Sequence, residues 1–446
     1  MIALWEFDTA CNTNRRKIKM LSLSRRSFLS IGGIGMLSMP ELLLAQKQNG
    51  TSHKAVINIF LGGGPPHQDM WDIKTQAPAE IRGEFKPVST SVAGIQIGES
   101  FPQIASMFDK FTAIRTVVGS DGGHDGYQCM TGWSRRETVS GTTYPAIGAV
   151  ASKVLGSVDP SVPVAVGLAE PTQHNPWSEA GGAGYLGETH KPFKPNGEMM
   201  KDLKLNLNVE RFKNRKELLA GFAGISKDVD DAITANLFTE EAFGVLTSSS
   251  LVNALDLSQE DPKVRERYGD GKPFKFQYDG APTVNEHVLI ARRLVEAGAR
   301  SVSLSYGRWD SHGSNFDLVR DHGAKLDQCV SALVEDLDQR GMLNDVMVVV
   351  WGEFGRTPKI NAGGGRDHWP QVSCALLAGG GFRHGQVIGS TNRLGEVPES
   401  RPVHIQEVCA TMYKALGIDT MSTTLIDRTG RPQYLLDHRE PLKELV

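Results

Sequence analysis

The chain has 446 residues, with 48 Lys and Arg against 51 Asp and Glu, a formal net charge of −3 and 40% hydrophobic residues. That length and apolar content suit one large or two ordinary globular domains. The near-balanced charge without a recurring basic block argues against nucleic acid as the main partner. The cysteines are too few and too scattered, with no CxxC pair, for a disulfide-dense scaffold or a cysteine-based zinc ribbon.

The chain opens with an address. Ser24-Arg25-Arg26-Ser27-Phe28-Leu29 reads as a twin-arginine signal, followed by a modestly apolar stretch from Ile31 to Leu44 and a small-residue cleavage point after Ala45. Gly32, Gly33, Gly35 and Pro40 break that stretch, so export by the twin-arginine machinery to the periplasm or beyond is expected, without a stable membrane span. Met20 offers an alternative start. Removing residues 1–45 takes away six Lys/Arg and three Asp/Glu and moves the net charge from −3 to −6. Residues 46–446 are expected to form a single domain.

Short runs rich in β-branched residues are predicted as buried strands: Val56 to Leu61, Ala113 to Val118, Val162 to Leu168, Ser301 to Tyr306, Val346 to Trp351 and Cys374 to Ala378. Between them, Val284 to Ala297, Leu318 to Arg340 and Ile405 to Leu416 read as helices. This alternation predicts an α/β fold, a doubly wound and largely parallel sheet with helices on both faces, whose ligands sit at the carboxyl ends of the strands. Residues 175–282 lack the strand signal and are expected to form a cap or insertion beside the cleft.

The polar clusters fall at those strand ends. Gly62-Gly63-Gly64-Pro65-Pro66-His67-Gln68-Asp69 follows the first strand, and glycines there let the backbone approach a ligand, with His67 and Asp69 as donors. After Val118 comes Ser120-Asp121-Gly122-Gly123-His124-Asp125-Gly126, a small-residue loop entering a helix and thus a candidate anion cradle, with His124 and Asp125 as substrate contacts. Gly307-Arg308-Trp309-Asp310-Ser311-His312 places a carboxylate and an imidazole two apart, a spacing that in a loop directs both at one ion; Arg308 is an anion clamp. Glu353 ends the strand that runs to Trp351; an ordinary ion pair with Arg356 would equally account for it. Gly365-Arg366-Asp367-His368-Trp369 adds a further Asp and His. Imidazoles with carboxylates suit zinc, iron or manganese, whereas an all-oxygen set suits calcium or magnesium.

The strings GGGPPHQDMWDIK, APAEIRGEFKP, WDSHGSNFD, VVVWGEFGRTPKIN, GRDHWP, GGGFRHGQVIGSTN and RPVHIQEV closely resemble the bacterial, twin-arginine-exported family known as domain of unknown function 1501, over nearly all of the chain from Lys54 onward. That family looks like a branch of the alkaline phosphatase and sulfatase superfamily. The resemblance implies an alkaline phosphatase-like core with metal at the strand ends. Asp310 with His312 are similar to the superfamily's Asp and nearby His, at a shorter spacing. Glu353 stands where an Asp of its Asp-His pair would be, with Phe354 in place of the His, and His368 is similar to a later His. Asp121 to Gly132 is similar to the segment bearing the superfamily's nucleophile, yet that position is Gly122, and the Cys-x-Pro-x-Arg sulfatase signature is missing.

The expected activity is therefore metal-dependent hydrolysis of phosphate or sulfate esters by activated water. One or two divalent ions (zinc, manganese, iron or calcium) are expected on Asp310, His312, Glu353, Asp367 and His368, with Asp69, His67 or His124 completing a second position or acting as general acid. Arg308, Arg356 and Arg366 would neutralise charge on the ester oxygens, and a sulfated or phosphorylated glycan would be one such substrate. The alternative is a non-catalytic glycan- or partner-binding protein on a degenerate scaffold, with Trp71, Trp133, Trp177 and Trp309 as stacking platforms.

Overall fold

The computed structural model describes residues 53–169, 171–174, 177, 181–195, 249–275 and 279–446. The twin-arginine segment and most of the expected cap, 196–248, lie outside the described residues. Residues from Ser52 onward cluster into one compact unit.

Eight strands form the central sheet: β1 (Ala55–Phe60), β2 (Phe111–Val118), β3 (Ala165–Gly167), β4 (Ser301–Ser305), β5 (Val346–Trp351), β6 (Ser373–Gly379), β7 (Gln386–Ile388) and β8 (Val403–His404). Their order is β7-β2-β6-β5-β1-β4-β3, with β8 also pairing on β2. All run parallel except β6, which is antiparallel to both neighbours. The fold is thus α/β with a largely parallel sheet, as its alternating pattern predicts. The run from Val162 is extended only over Ala165–Gly167. The strands β7 and β8 were not predicted, being three and two residues long, too short for a period to register.

Side-chain alternation explains why the central strands read as unbroken apolar runs. Ile57 and Ile59 of β1 and Val346, Val348 and Val350 of β5 enter one core, whereas Val56, Phe60, Met347, Val349 and Trp351 enter the other. A period of two that is apolar on both sides means both faces are covered. Helices α4 (Asn285–Ala297) and α5 (Asn315–Gln339) cover the first face, and α3 (Ile147–Leu155) and α6 (Ile405–Leu416) the second. The one polar side chain inside β1, Asn58, accepts from Trp351 Nε1 at 2.9 Å and donates to the Cys129 carbonyl at 2.9 Å, tying the sheet to the short helix α2 (Tyr127–Thr131).

The described part of the expected cap, residues 249–275, sends Leu251, Ala254 and Tyr268 into the first core. There Arg292 meets Glu260 and Asp336 in a buried ion network. The four described cysteines, Cys129, Cys329, Cys374 and Cys409, are buried and free. Among the described residues, no helix is long and apolar enough to cross a membrane.

Register fixes where chemistry can occur. Phe60 pairs with both Ser305 and Trp351, so β1, β4 and β5 end at one edge. The antiparallel β6 enters the sheet at that same edge, since Ser373 lies opposite Val117. One strand running against the rest therefore delivers the segment before it, residues 366–372, to the carboxyl ends of the others.

Candidate metal centre

Four loops meet at this edge, held by backbone contacts that only small residues permit. The Trp309 amide donates to the Gly62 carbonyl at 2.7 Å and the Arg366 amide to the Ser311 carbonyl at 2.8 Å. Gly63 has φ +102°, and a Cβ there would lie 2.5 Å from the Asp310 nitrogen. A Cβ on Gly365 would lie 2.1 Å from the carbonyl of His312. A two-residue ribbon pairs Arg356 with His368 and joins the turn after β5 to the segment entering β6.

The result is a group of four side chains, His124, Asp310, His312 and His368, each offering one donor atom within 4.8 Å of the others. Asp310 Oδ1 lies 3.0 Å from His312 Nε2, 3.4 Å from His368 Nε2 and 3.6 Å from His124 Nε2. His312 Nε2 and His368 Nε2 are 3.0 Å apart. Donors placed tetrahedrally around one ion at zinc-ligand distances are about 3.4 Å from each other, so the Asp310–His312–His368 triangle has the dimensions of one face of such a shell. Two neutral imidazole nitrogens this close, both facing a carboxylate oxygen, require a shared proton or a cation between them.

Two of the imidazoles are oriented from behind by carboxylates. His312 Nδ1 is 2.7 Å from Asp367 Oδ1, and His124 Nδ1 is 3.2 Å from Glu353 Oε1. A carboxylate on Nδ1 fixes the proton there and turns Nε2 outward as an acceptor, the usual support for a metal-ligating histidine. Glu353 is itself fixed by the Gly63 amide at 2.8 Å, while its other oxygen, Oε2, is buried without a partner. Burial pushes the Asp310 carboxyl upward, but the hydrogen bond with His368 and the charge and hydrogen bond of Arg356 outweigh it and hold it well below the ordinary carboxylate range. Asp310 is thus an anion in a ring of imidazoles, and the donor set fits a divalent ion. The side chain of His312 is 48% exposed and that of Asp310 only 11%, so the group is open on the His312 side.

Not every expected site residue reaches this group. Asp69 was expected as a ligand, but its oxygens accept from Arg366 at 2.7 and 3.0 Å and from Asn315 at 2.7 Å, all without solvent access. Arg366 spends its remaining donors on the carbonyls of Ile81, Thr357 and Pro358, so it secures the loop and faces no ester. Arg356 is equally buried, bonded to Asp310 Oδ1 and to the carbonyls of Gly63, Gly64 and Arg366; it clamps Asp310 in place of an ester oxygen. His67 is fully buried, with Nε2 on the Gly395 carbonyl at 3.0 Å, and burial pushes it down to about 4. Asp125 is paired with Arg135 and caps the Tyr127 amide.

Glu353 and Asp367, both expected as ligands, stand behind histidines. Arg308 stays beside the group, 3.5 Å from Asp310 Oδ2 and 2.6 Å from Asp279. The expected anion cradle is closed: the amides of Asp121, Gly122 and Gly123 are taken by Gln128, Ser120 and Asp121, and the helix they enter spans only Tyr127–Thr131. Trp71, Trp133, Trp177 and Trp309 are all buried, which removes the stacking platform of the binding-protein alternative. His124, expected as a substrate contact, a general acid or part of a second metal position, instead joins Asp310, His312 and His368 in one group.

Fold and site together define an α/β protein with a histidine-carboxylate group that could hold a metal ion at the carboxyl edge of its sheet. The chain belongs to the family described as protein of unknown function (DUF1501), whose model matches residues 53–446. No curated protein matches it by sequence. Solved structures similar to it include the PsFucS1 sulfatase from Pseudoalteromonas sp., at 12% identity over 85% of this chain and 70% of that one, with a TM-score of 0.35. The phosphonate monoester hydrolase SpPMH from Silicibacter pomeroyi is similar at 12% identity over 82% and 73%, with a TM-score of 0.34. Ps i-CgsB in complex with k-i-k-neocarrahexaose is similar at 10% identity over 82% and 72%, with a TM-score of 0.29.

Proposed function

We propose that this protein is an exported, metal-dependent hydrolase of phosphate or sulfate esters. The observation that carries the reading is the closed triangle of Asp310 Oδ1, His312 Nε2 and His368 Nε2, with edges of 3.0, 3.0 and 3.4 Å. Asp310, His312 and His368 would hold a divalent ion, with His124 as the remaining donor of the group, and the exposed His312 side would let water or substrate reach it. Nitrogen-rich ligation favours zinc, manganese or iron over calcium. When bound, such an ion acts as a Lewis acid, polarising an ester oxygen and lowering the pKa of water toward about 7.

The protein's own groups supply the rest. Arg356 keeps Asp310 anionic and fixes which of its oxygens faces the imidazoles. Asp367 and Glu353 orient His312 and His124. Arg308, partly exposed beside Asp310, is the cation placed to meet an ester oxyanion. The ester class and the export route rest on the sequence, on its family strings and on Arg25-Arg26.

The test is metal stoichiometry on the mature protein purified without added metal or chelator, followed by a panel of phosphate and sulfate esters that includes sulfated and phosphorylated glycans. About one equivalent of metal and turnover on one ester class are expected. Absence of metal after equilibration with each candidate ion would reduce the group to an ion-pair network and refute the reading. Bound metal without turnover, together with glycan binding, would favour a binding protein.

A further inference from the structure

We infer that Asp279 sets the charge of the ester this site accepts: by pairing with Arg308 it fits the site to monoanionic esters, sulfate monoesters or phosphate diesters, and against the dianionic phosphate monoester. The inference rests on the ester-hydrolase reading and names its substrate class.

Backbone packing brings Asp279 to the site. Its carbonyl accepts from the His174 amide at 3.1 Å, and the next residue, Gly280, lies flush against Arg308, where a Cβ would sit 2.6 Å from the Arg308 Cβ. The Asp279 carboxylate thereby stands 2.6 Å from Arg308 Nε, while Arg308 Nη1 donates to the Asp310 carbonyl at 2.6 Å and Nη2 lies 3.5 Å from Asp310 Oδ2. The side chains of Arg308 and Asp279 are 22% and 26% exposed, so an incoming anion meets the pair and not a lone guanidinium. Charge is what the pairing changes. A guanidinium carries five N–H groups, so Arg308 keeps donors for an ester oxygen while Asp279 cancels its charge.

The other fixed charges leave little to spare. Arg356, without solvent access, is bound to Asp310. Among the described residues, Asp367 and Glu353 make ion-pair contacts only with His312 and His124. A divalent ion with Arg308 and Arg356 brings four positive charges, and Asp310, Asp279 and Asp367 bring three negative ones. One positive charge is left for the substrate, and an ionised Glu353 lowers it further. A single negative charge on the ester balances it, whereas a second meets no compensating cation. One unit charge about 10 Å away, at an effective dielectric constant near 20, changes binding by about tenfold or more. Without Asp279 the balance would suit a dianion.

The experiment uses the mature metal-loaded protein and two inert anions of one shape, methanesulfonate and methylphosphonate, at about pH 9, where the first carries one negative charge and the second two. Titration calorimetry reads their binding at constant metal content, and the wild-type protein is expected to bind methanesulfonate more tightly. D279N is expected to raise affinity for methylphosphonate relative to methanesulfonate at least about tenfold. R308Q should move the ratio the other way, D279E should keep the wild-type ratio, and D279N combined with R308Q should return close to it, which loss of a merely structural contact would not do. Turnover should follow, with sulfate monoesters or phosphate diesters ahead of phosphate monoesters in kcat/KM and the gap narrowed in D279N. A wild-type preference for phosphate monoesters over both monoanionic classes, or a binding ratio unchanged in D279N with metal still bound, would overturn the inference and leave the hydrolase reading standing. No hydrolysis of any ester would remove both.

Discussion

Replacing Asp310 with Asn tests the centre with the smallest change of shape. The Asp310 side chain is 11% exposed, its Oδ1 bonds to the buried Arg356, and the same oxygen faces all three imidazoles. An amide keeps an acceptor for Arg356 but turns a charge-assisted bond into a neutral one, a loss of about 1–2 kcal/mol in the metal-free protein. The effect on metal binding is larger, because the only anionic donor of the triangle becomes a weak neutral one. In the wild-type protein, metal at a hundred times its Kd stabilises the native state by about 2.7 kcal/mol. That corresponds to a rise in Tm on the order of 5 °C for a domain of this size. D310N is expected to fold, to carry no metal after purification, and to show no rise in Tm when zinc or manganese is added. Thermal melts at several metal concentrations, paired with elemental analysis, read both quantities. If D310N keeps full metal content and the same metal-dependent rise, Asp310 is no ligand and the triangle is an accident of packing.

Asp367→Asn weakens the support of His312 without touching the triangle; because Asp367 is 53% exposed, stability should hardly change while metal affinity falls about 10- to 100-fold in a competitive chelator titration. His67 gives the acid limb of stability. Burial lowers its imidazole from 6.5 to about 4, so its contribution is fully present above pH 6.5 and is lost as pH falls toward 4, by about 3 kcal/mol in total. Urea unfolding at pH 7 and pH 4.5 should show a smaller difference in H67Q than in the wild type; equal differences would remove His67 as the source. Asn58→Leu strands Trp351 Nε1 and the Cys129 carbonyl inside the core and should cost about 3 kcal/mol in chemical denaturation. Gly365→Ala forces a Cβ to within 2.1 Å of the His312 carbonyl, and the expected outcome is loss of metal with a stability loss on the order of 2 kcal/mol.

Which of these residues could be read from the sequence follows from how their positions are set. Asp310 and His312 stand within a few residues of the carboxyl end of β4 in the chain, so local pattern together with the rule for parallel sheets was enough to place them. Asp69 obeys the same local logic and fails for a non-local reason: Arg366, nearly 300 residues away, reaches it first, and Asn315 takes its remaining acceptor capacity. No spacing rule reports which cation a buried carboxylate will meet. Arg356 and Arg366 looked like exposed anion clamps because arginines beside a cleft often are, yet the folded chain uses both as internal ties between loops that carry no regular structure. Such loops need their carbonyls satisfied, and a buried guanidinium with five donors does so at once.

The Glu353–His124 pair shows the same limit from the other side. Glu353 ends a strand and was legible as a buried carboxylate in need of a partner, while His124 sits in a glycine-rich loop 229 residues earlier. Their meeting depends on β2 and β5 lying on either side of the antiparallel β6, and no pattern in the sequence reveals that β6 runs backward. The same reversal brings Asp367 and His368 to the edge where Asp310 already stands. A single antiparallel strand therefore decides both the second imidazole of the triangle, His368, and the carboxylate that orients the first, Asp367 behind His312. If β6 ran parallel, the chain entering it would arrive at the opposite edge, and Asp310 and His312 would be left as an ordinary surface pair.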